Sequence, residues 1–279
     1  MTQMTHIADR ARLFHSLHRA GDPLVLPNAW DAASARIVAR AGAAAVATTS
    51  SGVAWGLGAA DGDRLDRDLA LELTTRVAAA VPVPVTADIE SGFAEDADGV
   101  GDTVRRVVAA GAVGVNLEDT HHRGPRPLRS AADQAARLAA ARRAGDELGV
   151  PVFVNARVDV FLRDTGEPGE LLRETLERAK AYVAAGADGI FVPGVTDPAV
   201  VARLVAGLDA PLNVMAGPGA PPVAELAAAG AARVSVGSGL AQAAYGVADR
   251  AARELLTAGT YTELAGGPGF AELNALMDE

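Results

Sequence analysis

Short apolar runs alternate with helix-length amphipathic stretches along almost the whole chain. The runs fall at residues 24–26, 44–48, 83–87, 113–117, 150–154, 189–192, 211–214 and 233–236, eight in all. Each is followed by apolar residues at three- and four-residue spacing, over 32–41, 69–80, 102–110, 131–148, 171–185, 198–207, 223–228 and 240–256. Runs this short, apolar on both faces, suit strands buried in a parallel sheet. The longer stretches suit helices that cover such a sheet. Gly42, Gly111, Gly149, Gly186 and Gly230 stand between a helical stretch and the next run, where a left-handed residue ends a helix. Eight βα units with no linker predict a single-domain (β/α)₈ TIM barrel over residues 1–258. After the break Gly266-Gly267-Pro268-Gly269, residues 259–279 read as a helical tail that packs on a neighbouring subunit. The rival architecture, an open doubly wound sheet, calls for a glycine-rich fingerprint after the first run. The chain reads Pro27-Asn28-Ala29-Trp30-Asp31 there.

Composition narrows the chemistry. The chain has 279 residues, 49% hydrophobic but only 4% aromatic, so Ala, Val, Leu and Ile must fill the core. The net charge of −10, with no basic run, argues against nucleic acid. Met1 to Arg12 is polar and does not read as a signal peptide. No apolar run reaches the ~18 residues a membrane helix needs, so no membrane partner is expected. There is no cysteine, which removes disulfides, thiolate ligands and thiol nucleophiles and fits a cytoplasmic protein. The only lysine, Lys180, lies inside a helical pattern, which leaves Schiff-base chemistry without a candidate.

In a barrel the chemistry sits at the C-terminal ends of the strands. The third run ends Asp88-Ile89-Glu90-Ser91-Gly92-Phe93 and the fourth ends Asn116-Leu117-Glu118-Asp119. Residues two apart on extended chain point the same way, and adjacent strands lie ~4.8 Å apart. Asp88, Glu90 and Glu118 are therefore expected to converge, with a cation between them. An all-oxygen donor set suits Mg²⁺, with Mn²⁺ a second possibility. The bland alternative makes them helix caps and solvated loop acids. Arg157, at the end of the fifth run, suits a carboxylate or phosphonate head group, or else a salt bridge to these acids. The stretch Thr48-Thr49-Ser50-Ser51-Gly52 offers hydroxyls and backbone N–H groups to an oxyanion, or is a plain turn. Asp61, in the loop after the second run, is a candidate acid-base or positioning carboxylate. Gly217-Pro218-Gly219 and Gly237-Ser238-Gly239, after the last two runs, are either anion loops or turns.

In order and spacing these segments resemble the isocitrate lyase/phosphoenolpyruvate mutase superfamily from about Leu24 to Leu256. They are Asn28-Ala29-Trp30-Asp31-Ala32, Thr49-Ser50-Ser51-Gly52, Leu57-Gly58 with Asp61, Asp88-Ile89-Glu90-Ser91-Gly92-Phe93, Leu117-Glu118-Asp119, Ala156-Arg157 and Pro211-Leu212-Asn213. The resemblance implies Mg²⁺ and an enolpyruvate-type intermediate, formed by breaking a C–C or P–C bond of a small 2-oxo or hydroxy acid. It also implies homotetramers, or at least dimers, in which the last helix is exchanged between subunits. By position, Asp88 resembles the direct metal ligand, and Glu90 and Glu118 resemble ligands through water. Asp61 resembles the loop aspartate beside the reacting group, and Arg157 the arginine on the anionic head. Thr49, Ser50, Ser51 and Asn213 resemble substrate contacts. The loop 119–128 departs from the family: Asp119-Thr120-His121-His122-Arg123-Gly124-Pro125-Arg126-Pro127-Leu128 has neither the lyases' Cys nor the mutases' Lys. His121 and His122 then become candidates to protonate an enolate, since imidazole titrates near neutrality; a solvated loop is the alternative. Three functions stay open: a lyase-type enzyme, a phosphonopyruvate or carboxyphosphonate mutase or hydrolase, and a non-catalytic barrel that binds a small acid.

Overall fold

The computed structural model describes residues 3–163 and 166–278. Nine strands form one all-parallel sheet: β1 Leu24–Leu26, β2 Asn28–Ala29, β3 Val46–Thr48, β4 Val85–Asp88, β5 Gly114–Glu118, β6 Phe153–Arg157, β7 Gly189–Val192, β8 Leu212–Met215 and β9 Arg233–Ser235. The sheet order runs β1-β9-β8-β7-β6-β5-β4-β3-β2. β1 and β2 are two halves of one staggered strand separated by Pro27, which has no N–H to give to a ladder. The first half pairs with β9 and the second with β3, so the ring closes. This is the (β/α)₈ barrel that the alternation predicts.

The eight expected helices are present, at Ala32–Arg40, Arg67–Ala80, Ala97–Ala109, Ala131–Glu147, Pro168–Ala184, Pro198–Ala206, Val223–Ala228 and Gly239–Thr257. Asp31, Asp66, Asp96, Ser130 and Asp197 cap five of them by accepting backbone N–H bonds. The expected helix-ending glycines Gly111 and Gly186 hold φ of 95° and 101°. Three α-helices went unpredicted, one of them the single turn Val160–Arg163. Gln3–Ser16 closes the N-terminal mouth of the barrel, with Ile7, Ala11 and Phe14 buried. Phe14 meets Phe153 edge to face at 5.5 Å, and His18, just beyond the helix, stacks on the same ring at 4.0 Å. Another, Ser50–Gly56, stands where a turn was an option.

The barrel interior carries a polar layer. The Asn155 side-chain amide donates to Asn116 Oδ1 (2.9 Å) and to Asn213 Oδ1 (3.1 Å). Arg233, 1% exposed, donates to Asn116 Oδ1 (3.3 Å). Outside, the helix Gly239–Thr257 buries only Ala241 and leaves Tyr245, Val247, Leu255 and Leu256 exposed. Beside β1 an apolar groove of about 660 Å³ lies open between Leu17, Val25, Ile37 and Leu240. The tail helix Phe270–Asp278 touches the helix Ala32–Arg40 of its own chain. Leu276 is buried, its carbonyl accepts from Arg36, and Glu272 pairs with Arg40. Among the described residues no helix is long and apolar enough to cross a membrane.

Candidate functional site

The site forms where β3, β4, β5 and β6 end on neighbouring positions. Register places Asp88 beside Asn116 and Glu118 beside Arg157. Asp88 is steadied from β3: its N–H donates to Thr48 Oγ1 (2.9 Å), and its carboxylate accepts from Ser50 N–H (3.2 Å). Ser50 opens the helix Ser50–Gly56, so the oxyanion stretch is a helix N-terminus rather than a loop. Thr49 and Ser50 are buried and Ser51 half-buried. Gly52 is required there, since a Cβ would come within 2.9 Å of Trp30 Cβ and 2.8 Å of Thr49 Cγ2.

Glu90 does not follow the alternation of a strand. Its φ is +50°, which turns its side chain away from the direction Asp88 takes. Glu90 Oε2 accepts from Gly62 N–H (2.8 Å) and from Asp63 N–H. Glu118 is engaged on both oxygens, with His122 Nε2 at 2.7 Å from Oε1 and Arg157 Nη1 at 2.7 Å from Oε2. The expected convergence of three free carboxylates is therefore not what the side chains do. Among the described residues no group of three or more acidic or histidine side chains is arranged to hold a metal.

Arg157 lies between two carboxylates. Beyond Glu118, its Nε and Nη2 donate to Asp159 Oδ1 (2.6 Å) and Oδ2 (3.0 Å). Both readings of Arg157 survive this: the salt bridge exists, and three of its five donors are used, leaving two. Burial opposes its charge, but Glu118, Asp159 and Asp88 outweigh that and raise its pKa. Burial raises Asp88 and Glu118 despite the Arg157 guanidinium, and pushes Glu90 up to about 8 with help from Asp61, Asp63 and Asp88. Asp88, Glu118 and Asp159 thus crowd around Arg157, with Arg233 also acting on Asp88, while Glu90 lies on the far side of Asp88. The donor set is all oxygen, the kind a hard divalent cation takes, with Asp88, of the three around Arg157, the carboxylate that has neither a guanidinium nor an imidazole bonded to it.

Two loops close over the centre. Arg123 donates to the Asp63 carbonyl (2.8 Å), and Gly62 lies so close to His122 that a Cβ there would meet Nδ1 at 3.1 Å. Only about 10 Å³ remains between Thr48, Ser50, Asp88 and Glu90. Outside, a cavity of about 740 Å³ opens between Asp63, Arg64, Ser91, His121, His122 and Arg123. The loop 119–128 holds its own shape through a Thr120–Leu128 bridge. The hydrogen bond and charge of Glu118 raise His122. His121 makes no such contact, and desolvation together with Arg129 lowers it. Asp61 is exposed at a loop tip, near enough to raise Asp88 and Glu90. Asn213 is not part of this centre: it is 2% exposed and committed to the interior layer through Asn155, Ser235 and the Val214 carbonyl.

Residues 14–256 match the family model described as phosphoenolpyruvate phosphomutase. The chain belongs to this family. It therefore sits in the isocitrate lyase/phosphoenolpyruvate mutase superfamily that the strand-end segments resemble. An uncharacterized protein of Mycobacterium tuberculosis is 39% identical over 226 residues, covering 81% of each chain. A crystal structure of a candidate lyase/mutase from Burkholderia cenocepacia J2315 is 37% identical with a TM-score of 0.91. It covers 98% of this chain and 97% of that one. The 2-methylisocitrate lyase of Salmonella typhimurium is 31% identical over 186 residues, 65% of this chain and 61% of the lyase. The superfamily comprises lyases and mutases, which supports enzyme status for this member.

Sequence reading missed Asp63, Asp159 and Arg137. Asp159 was open to discovery, since it stands two residues past Arg157 on the same face. Asp63 and Arg137 had no such signal. Asp63 depends on φ of +56°. Arg137 comes from a distant helix to donate to the carbonyls of Ser91 (2.6 Å), Ala94 (2.7 Å) and Glu95 (3.0 Å).

Proposed function

We propose that this chain is a Mg²⁺-dependent lyase-type enzyme, with Mn²⁺ an acceptable substitute. It cleaves a C–C bond to C3 of a small 2-oxo or hydroxy carboxylic acid by way of an enolpyruvate. The observation that carries this is the cluster of buried carboxylates around Asp88 beside an arginine with two donors to spare, roofed by a histidine held on Glu118. Asp88 would hold the cation directly, and Glu90 and Glu118 through water, in keeping with the several waters Mg²⁺ retains. When bound, the cation supplies a Lewis acid at the substrate's carboxylate and keto oxygens.

The chain's own residues do the rest. Arg157 grips the substrate carboxylate with its remaining N–H groups. Thr49, Ser50 and Ser51 present the start of a helix to substrate oxygen, where partial positive charge favours an anion. His122, raised above ordinary imidazole by its bond to Glu118, is the acid of this reading, acting on C3. Transfer of its proton to C3 of the enolpyruvate gives pyruvate. Asp61, at the tip of the closing loop, positions the leaving fragment. His121 takes no such part, because it does not reach the Glu118 pair. The similarity to 2-methylisocitrate lyase supports C–C chemistry. The absence of Cys and Lys from the loop 119–128 supports His122 in the proton donor's role. The exposed helix Gly239–Thr257 and the open groove beside β1 support a homo-oligomer in which this helix is exchanged.

The test measures pyruvate formed from oxaloacetate, 2-methylisocitrate and phosphonopyruvate, with Mg²⁺ and with EDTA, by wild type and Asp88→Ala. Metal-dependent turnover of a C–C substrate, lost in the variant, is expected. Turnover of phosphonopyruvate alone would transfer the protein to P–C chemistry. No turnover of any acid would leave the small-acid-binding barrel.

A further inference from the structure

Arg157 is held by a chain of buried contacts that leaves the site and ends on an outer helix. Its guanidinium lies in the two-pronged grip of Asp159, which is fully buried. Asp159 is itself fixed twice: its carboxylate accepts from the Thr120 hydroxyl, and its N–H donates to Asp119 Oδ1 (2.9 Å). Asp119, also fully buried, donates its own N–H to the Arg157 carbonyl (3.2 Å). It therefore clasps the backbone on both sides of Val158. Its second oxygen, Oδ2, accepts from the Tyr182 hydroxyl (2.8 Å) and lies 3.3 Å from Arg178 Nη1. Tyr182 and Arg178 belong to the helix Pro168–Ala184, and Tyr182 is wholly buried. No link in this chain exceeds 3.3 Å, and neither acid, Asp159 nor Asp119, takes another role in the proposed reaction.

We propose that Asp119 and Tyr182 are positioning residues that act through Asp159 to fix the Arg157 guanidinium for the substrate's carboxylate; this rests on the reading of Arg157 given above. An arginine grips a carboxylate in bidentate fashion only if its plane is set beforehand, and a displacement of about 1 Å costs up to ~100-fold. Asp159 sets the plane. Asp119 sets where Asp159 stands, and Tyr182 sets which way Asp119 faces. The outer helix thereby tunes grip on the substrate rather than the bond-breaking step.

The test uses Tyr182→Phe, which keeps the ring and removes the hydroxyl, and Thr120→Val, which loosens Asp159 from the other side. KM and kcat are measured on whichever acid turns over, and the Arg157 Nε–H resonance is recorded in ¹⁵N-labelled protein. Loss of one charge-assisted bond acting at second hand should raise KM about 5–20-fold, leave kcat within about 2-fold and shift the Nε–H signal. A lowered melting temperature with unchanged KM and an unmoved Nε–H signal would show a merely structural role and overturn the proposal, as would a fall in kcat alone. If Tyr182→Phe does not fold, Thr120→Val carries the same two readouts. If wild type turns over no acid, a shifted Nε–H signal still upholds the positioning chain while the lyase reading falls, and an unshifted one overturns it.

Discussion

Arg137→Met should unfold the protein more easily by about 3–5 kcal/mol, although Arg137 lies outside the catalytic centre. The Arg137 guanidinium is fully buried. Three donations, to the carbonyls of Ser91, Ala94 and Glu95, hold the loop that follows Glu90. That loop is backbone under tension, with Glu90 and Phe93 both at φ of +50°. A hydrogen bond from a charged group contributes ~1.5–3 kcal/mol, so three contribute roughly 4.5–9 kcal/mol gross. Methionine fills much of the same volume and restores part of this, because it has no charge to desolvate and burial weakens the Arg137 cation. The carbonyls left without partners set the remainder. For a chain of this size the change corresponds to a fall of about 5–9 °C in Tm. Urea denaturation of wild type and variant at one pH, with equal slopes, gives the difference directly. A variant within about 1 kcal/mol of wild type would refute the reasoning, since the loop would then hold itself.

Two further outcomes follow from the burial pattern. Burial, with Arg233 nearby, holds His18 down at about 3 from its ordinary 6.5. The unfolded chain therefore binds this proton below pH 6.5 while the folded chain refuses it. Stability falls as pH drops from 6.5 towards 3, by about 2 kcal/mol at pH 5. Chemical denaturation at pH 7 and pH 5 should show His18→Phe losing less than wild type by about that amount, and equal losses would sink the assignment. Separately, Leu255→Glu and Leu256→Glu on the exposed helix Gly239–Thr257 should shift sedimentation from oligomer to monomer at unchanged Tm of the monomer. A wild type that already sediments as a monomer would exclude helix exchange.

The barrel was legible because its rule is one-dimensional. A strand buried on both faces and a helix buried on one give different periods, and eight repeats leave little choice of fold. What escaped was either local or long-range. The helix Gln3–Ser16 carries Ile7, Ala11 and Phe14 at helical spacing, but its polar majority hid a three-residue stripe. The split at Pro27 follows from a missing donor, although only the closed ring shows that both halves are used.

The site divides the same way. The strand ends placed Asp88, Glu118 and Arg157 correctly, because register is a backbone property. The direction of Glu90 was lost because one left-handed residue undoes the alternation on which the inference stood. Asn213 was lost because a strand-end asparagine is equally at home in the barrel's interior layer, and here Asn155 and Ser235 claim it. The supports of the arginine were hidden most deeply: Asp119 and Tyr182 are 63 positions apart, and only folding brings the hydroxyl to the carboxylate. A sequence names the groups that can meet a substrate when strand geometry alone aims them. It is silent where a turn or a distant helix does the aiming, and in this barrel those unseen contacts hold Glu90 and Arg157.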